Sequence, residues 1–242
     1  MKINDKCQLF LRDVYLYDIS SCHYSILEKS SFDVSFLEKD DKTKRNIQIG
    51  LLMKENPKFT SLLRNTTNSI INEYISINKL KDEEIVTRQY DGIIVTRPLE
   101  VTKLNLPLDF RTHILIFISS FNRNSYISYD GNKTSIKGIS NRYNAIDSLY
   151  HQFLSQTNFL NKSSVFKQLQ KLKNVFLQTK NIKLFCMPSN DDNSFVVYFK
   201  EFEDIKISKQ TAKIIDVNDI NREWYFNFYI KPFAQSLVLE FA

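Results

Sequence analysis

Asp18 and Asp91 are acidic residues set inside strand-like apolar runs, Tyr17-Asp18-Ile19 and Tyr90-Asp91-Gly92-Ile93-Ile94-Val95. Taking a carboxylate out of water is costly unless it is paired or bound to a cation. Two carboxylates at the ends of neighbouring strands, within about 5 Å of each other, are suited to hold two divalent ions, and ions so placed serve phosphoryl transfer. A single strand-end Asp is more simply a cap on the turn that follows. Two of them in similar settings make metal-assisted chemistry the expectation, with both side chains facing one cleft.

The elements that must position these residues follow from the apolar spacing. Alternation over 7–19, ending in Val14-Tyr15-Leu16-Tyr17-Asp18-Ile19, predicts a strand that carries Asp18 near its end. Residues 85–97 predict two short strands around a tight turn near Gln89-Tyr90-Asp91. Between them, 21–29 begins a helix, Glu38 to Arg45 reads as a polar loop, and 46–56 and 58–79 have helical spacing. Further strands are expected at 112–118 and 126–137, the second turning at Asp130-Gly131. The pattern is helical from 145 to about 180, then a strand pair at 182–187 and 194–200, then a final amphipathic helix over 219–241. Strands dominate the first half and helices the second, with a boundary near Arg142 to Asp147. The expected fold class is α+β.

Composition sets the outer bounds. The chain has 242 residues, 43% of them hydrophobic and 25% charged, enough apolar content for a sizeable core and far from the signature of disorder. A net charge of +6 and a pI near 9.0 mildly favour a polyanionic partner such as nucleic acid. Cys7, Cys22 and Cys186 are odd in number and far apart, which argues against a structural zinc site or disulfide framework and fits a reducing compartment. The longest apolar run, Ile114 to Ile118, is far too short to span a bilayer, and Met1-Lys2-Ile3-Asn4-Asp5-Lys6 has no apolar signal core. A cytoplasmic protein without membrane attachment is expected, in the host cytoplasm if the chain is viral.

Five segments resemble, in order, the motifs of family B DNA polymerases. Asp18-Ile19-Ser20-Ser21-Cys22-His23-Tyr24-Ser25-Ile26 is similar to the first palm motif, D-x-x-S-L-Y-P-S-I, with Cys22-His23-Tyr24 in place of Leu-Tyr-Pro. Arg64-Asn65-Thr66-Thr67-Asn68-Ser69-Ile70-Ile71-Asn72 resembles the fingers motif K-x-x-x-N-S-x-Y-G; Arg64 replaces Lys, and Asn68 and Ser69 match. Gln89-Tyr90-Asp91-Gly92-Ile93-Ile94-Val95 resembles the second palm motif, Y-G-D-T-D-S-I-x-V; Gln89 stands at the first Asp, Asp91 matches the second, and Gly92 replaces Ser. Tyr126 through Gly138 looks like the segment K-K-R-Y…D-G…K-G, with Arg123 near the basic position. Ile220-Asn221-Arg222-Glu223-Trp224-Tyr225 weakly resembles the I-D-x-x-Y-Y of the thumb.

The resemblance implies a polymerase palm, an antiparallel sheet with packed helices, over 1–145, with a short fingers insertion at about 30–80 and a mainly helical thumb over 146–242. It implies a template-directed DNA polymerase that moves a nucleotidyl group from a dNTP to a primer 3′-hydroxyl. Asp18 and Asp91 are then the catalytic residues and hold two Mg²⁺ ions. Ser21, Cys22, His23, Arg64 and Asn68 bind the nucleotide, His23 at the position of the sugar-gating Tyr. Lys44, Arg45 or Lys54 join Arg64 on the phosphates. Tyr126 and Lys137 contact the primer, and Lys167 and Lys171 follow the duplex backbone. The partners implied are primer-template DNA, dNTP and a separate polypeptide carrying the exonuclease and N-terminal polymerase domains, since little chain precedes the first palm motif. The alternative is an inactive polymerase-like subunit that binds DNA or a replication partner, favoured by Gln89 and His23 at two of the motif positions.

Overall fold

A computed structural model of the chain describes residues 2–3, 10–30, 32–118, 126–137, 145–185, 187–188, 194–198, 204–208 and 216–241. Expectations that involve Cys7, Arg123, Gly138, residues 142–144 and Cys186 lie outside the described residues. The chain forms two compact units, Met1–Cys7 with Asp13–Thr112, and Gln8–Arg12 with His113–Ala242.

The first unit holds β1 (Lys2–Ile3), most of β2 (Phe10–Ile19), α1 (Cys22–Glu28), α2 (Lys42–Glu55), α3 (Pro57–Ile77), β3 (Ile85–Arg88) and β4 (Gly92–Val95). Its strands pair antiparallel in the order β1-β3-β4-β2. The three helices pack on one another, α1 against both α2 and α3. In α3 the buried residues Phe59, Leu63, Thr67, Ile71 and Tyr74 recur every three or four positions, the stripe that a one-sided helix requires. Tyr74 is fully buried, and its hydroxyl donates to the Leu106 carbonyl at 2.6 Å and accepts from the Leu104 amide at 2.9 Å. The segment after β4 is thereby tied to the middle of the unit.

The loop expected over Glu38 to Arg45 is shorter than its polarity suggests, because α2 begins at Lys42. The Asp41 carboxylate accepts from the amides of Thr43 and Lys44, an N-cap that starts the helix within a charged run. Asn56 ends α2 and caps α3 by accepting from the Phe59 amide, with Pro57 in the first turn where a missing N–H costs nothing.

The second unit contains β5 (Leu108–Ile118) from His113 on, β6 (Tyr126–Tyr129), β7 (Thr134–Lys137), α4 (Ala145–Gln156), α5 (Lys162–Gln178), β8 (Met187–Pro188), β9 (Ser194–Tyr198), β10 (Asp204–Ser208), α6 (Arg222–Tyr225) and α7 (Lys231–Phe241). β5, β6 and β7 are antiparallel neighbours, and Asp130-Gly131 turns the β6–β7 hairpin as expected, with Gly131 at φ 98°. The core is aromatic: Phe233 meets Phe117, Tyr150 and Phe153 edge-on at 4.9, 4.9 and 5.1 Å. Arg222 donates to the carbonyls of Leu177 and Thr179 at the end of α5, a cationic C-terminal cap.

Three expectations for this unit need correction. Residues 182–184 form a helical turn rather than a strand. The small sheet has three antiparallel strands, β10-β9-β8, rather than two. The last helix starts at Arg222 and passes through a π-helical turn over Phe226–Ile230 before α7. Antiparallel sheets and packed helices occur in both units, so the fold class is α+β. Among the described residues no helix is long and apolar enough to cross a membrane.

Candidate active site

The site is built at one end of the β2–β4 ladder. Tyr17 pairs with Ile93 and Asp18 with Gly92, so Asp18 stands opposite the first residue of β4. β3 and β4 are joined by Gln89-Tyr90-Asp91, closed by the Gln89 amide on the Gly92 carbonyl at 2.9 Å. Asp91 therefore lies in the turn rather than on a strand. Its carbonyl accepts from the Ile19 amide at 2.8 Å, which fastens the turn to the residue following Asp18.

Gly92 is what allows this approach. A Cβ there would overlap the Tyr17 carbonyl oxygen and lie 3.0 Å from the Asp18 Cα. The Asp18 carboxylate has no opposing side chain across the ladder.

Asp18 and Asp91 line a single cleft of about 490 Å³, together with Ser20, Ser21, Cys22 and His23. Burial pushes the Asp18 carboxyl above its ordinary range. The Arg111 guanidinium opposes this, the carboxylates of Asp91 and Asp109 add to it, and Lys42 opposes it. Asp18 Oδ1 is buried and has no protein hydrogen-bond partner. An acceptor left in this condition costs about 1–3 kcal/mol unless water or a cation meets it. Among the described residues no three His, Cys, Asp or Glu side chains gather as a metal-binding group. Three acidic residues line the cleft, Asp18, Asp91 and the exposed Asp109, and the last two both act on Asp18.

His23 and Tyr90 form a wall of this cleft, their rings edge to face at 5.2 Å. Burial lowers the His23 pKa, partly offset by Asp91, so the imidazole is neutral near pH 7. Its Nε2 is buried without a hydrogen-bond partner. The Tyr90 hydroxyl interacts with Thr67 and Arg64. Cys22 is buried beside Thr67 Oγ1 at 3.4 Å, and burial pushes its thiol up to about 11, so it stays protonated and unreactive at neutral pH. Ser21 is at φ 48° where the chain turns from β2 into α1, and the Ser25 hydroxyl closes that turn on the Ser20 carbonyl at 2.8 Å.

The basic residues are distributed differently from the expectation. Arg64 and Asn68 are exposed one turn apart on α3 and do not line the cleft. Arg45 is buried: its guanidinium donates to the Lys39 carbonyl at 2.7 Å and stacks over Tyr24 at 4.2 Å, which makes it a staple rather than a phosphate ligand. Lys44 pairs with Asp41 at 3.7 Å, and neither it nor Lys54 lines the cleft. The cations that do are Lys42 and Arg111.

Asp109 and Arg111 lie ahead of residue 112, where the sequence pattern predicts the strand to begin. The structure starts β5 at Leu108. The alternation Asp109-x-Arg111 was the available signal, since residues two apart share a strand face. Asn46 and Gly50, on the cleft side of α2, carried no motif.

The remaining expected site residues are in the second unit. Tyr126 is buried in β6 at 4% exposure, whereas its ladder partner Lys137 is exposed on β7. Lys167 and Lys171 are exposed one turn apart on α5, and Lys171 Nζ reaches Gln156 Oε1 at 3.5 Å.

No family model and no curated protein matches the chain. Among solved structures it is similar to the family B DNA polymerase from the hyperthermophilic archaeon Pyrobaculum calidifontis, with a TM-score of 0.49 and 8% identity over 95% of this chain. The match spans 45% of that polymerase chain, so this chain corresponds to about half its length.

Proposed function

We propose that the chain is a template-directed DNA polymerase subunit, with the first unit providing palm and short fingers and much of the second the thumb. The observation that carries this reading is the Asp18–Asp91 pair. A backbone ladder and the turn next to it bring Asp18 and Asp91 to the lining of one cleft, where Asp18 Oδ1 has no protein partner. The oxygen-only donor set and the unmet Asp18 oxygen suit a hard divalent ion such as Mg²⁺, which Asp18 and Asp91 would hold. When bound, such ions supply a lowered hydroxyl pKa and neutralise phosphate charge.

The chain's own residues account for the rest of the mechanism. The 3′-hydroxyl of a primer attacks the α-phosphate of a dNTP in line, the P–O bond to the β-phosphate breaks, and pyrophosphate leaves. Lys42 and Arg111 place positive charge on the cleft wall, with Arg64 on α3 as an outer contact through Tyr90. Neutral His23, braced by Tyr90, limits the space beside the sugar. Lys137, Lys167 and Lys171 contact DNA phosphates without reading sequence.

Gln89 and His23, at two of the motif positions, favour a second reading, an inactive polymerase-like subunit that binds DNA or a replication partner. Primer extension with Mg²⁺ separates the two. Extension by the wild type that Asp18→Ala abolishes, with primer-template binding kept, supports the polymerase. DNA binding without extension in either protein supports the inactive subunit.

A further inference from the structure

We infer that the inner face of α2 is the wall against which the incoming nucleotide lies, phosphates toward Lys42 and base against Gly50. The inference rests on the nucleotide-transfer reading above and names where that substrate sits.

Five residues of α2 line the cleft: Lys42, Asn46, Ile49, Gly50 and Met53. Their spacing places them in one stripe along the helix. The stripe changes character along its length. Lys42 and Asn46 offer a cation and an amide, and Lys42 acts with Arg111 on the same carboxylate, Asp18. Ile49, Gly50 and Met53 are apolar. At 1.5 Å of rise per residue, Lys42 and Gly50 are about 12 Å apart along the axis, comparable to the length of a nucleotide from phosphates to base.

Gly50 is the informative residue. It sits in the interior of a 14-residue helix, where glycine is the least favourable residue short of proline. No packing requires it, because a Cβ there would meet nothing within 4 Å. Helical backbone does not require it either. What its absent side chain leaves is bare helix backbone facing open cleft, a surface on which a planar base can rest closely. Ile49, only 2% exposed, anchors that stretch of helix to the core, so the wall behind the base is fixed.

The test is equilibrium binding of dATP and, separately, of inorganic tripolyphosphate to the full chain with Mg²⁺ present. Gly50→Leu is expected to weaken dATP about tenfold while leaving tripolyphosphate within about twofold. Lys42→Gln is expected to weaken both. Gly50→Ala guards against misfolding. It should raise Tm, because the space is open and alanine favours the helix, yet still weaken dATP about threefold. Wild-type binding of dATP that neither Gly50 variant changes overturns the inference and leaves the nucleotide reading standing. Equal weakening of tripolyphosphate by Gly50→Leu also overturns it, since the phosphates rather than the base would then lie there. A wild type that binds neither probe overturns the nucleotide reading itself.

Discussion

Gly92, the ladder partner of Asp18, and Gly50, which lines the cleft, are glycines for opposite reasons. At Gly92 two backbones approach so closely that a Cβ would overlap the Tyr17 carbonyl oxygen. At Gly50 a Cβ would meet nothing. The first glycine is demanded by the strand ladder that holds Asp18 beside the Asp91 turn. The second is demanded by nothing within the chain. The carboxylate end of the cleft is thus fixed by main-chain geometry, whereas the α2 wall is left open. One end is built for positioning, the other for receiving.

Breaking the tight end should have the largest effect. Gly92→Ala is expected to destabilise the protein by about 1–3 kcal/mol, because the strands must part to admit the methyl group. Thermal denaturation should show Tm falling by several degrees, and any Asp18-dependent activity should fall with it. An unchanged Tm would mean that the ladder is looser at Asp18 than its register implies.

Arg45 comes next. Arg45→Met removes the donor to the Lys39 carbonyl and the guanidinium stacked on Tyr24, at a cost of about 1–2 kcal/mol. Urea denaturation should register the loss. Nucleotide affinity should hold, which would distinguish Arg45 as a staple from the cleft-lining Lys42.

The open end reverses the sign. Gly50→Ala should stabilise the chain by about 1 kcal/mol. The same substitution at the two glycines should therefore move Tm in opposite directions, the sharpest form of the comparison.

The smallest effect concerns pH. Burial holds the His23 pKa below its ordinary 6.5, so the unfolded chain takes up this proton more readily than the folded one. Folding stability should fall as pH drops below about 6.5 toward the folded-state value, and remain level above it. His23→Phe should flatten that dependence in urea titrations at pH 5 and 7. A slope unchanged by the substitution would assign the pH response to other groups.

Much of this arrangement was legible in the residues and part was not. Alternation ending at Asp18 and the short apolar run after Asp91 revealed both strands, because a strand with one buried face must repeat every two residues. The α3 stripe was legible for the analogous reason at helical period. The start of α2 was hidden because its signal is a cap, Asp41 bonding to two amides, inside a charged stretch that otherwise reads as loop. Asp109 and Arg111 were hidden because the polar start of β5 lacks the apolar alternation that marks a strand. Arg45 read as a free cation, since nothing local announces that a guanidinium folds back onto Lys39 and Tyr24. Side-chain types disclosed the Asp18–Asp91 pair, and tertiary packing decided which cations stand near it.

If Asp18 and Asp91 form a cation site for nucleotidyl transfer, Asp18→Asn should remove it. The Asp18 carboxyl is pushed up in the folded chain, so its ionised form is strained at neutral pH, and that strain is relieved as pH falls toward the folded-state value. Asparagine removes the charge. Asp18→Asn is expected to raise Tm in the absence of divalent ions, to abolish the Tm increase that Mg²⁺ gives the wild type, and to eliminate primer extension. A variant that is less stable than the wild type, or that still extends a primer with Mg²⁺, would contradict that expectation.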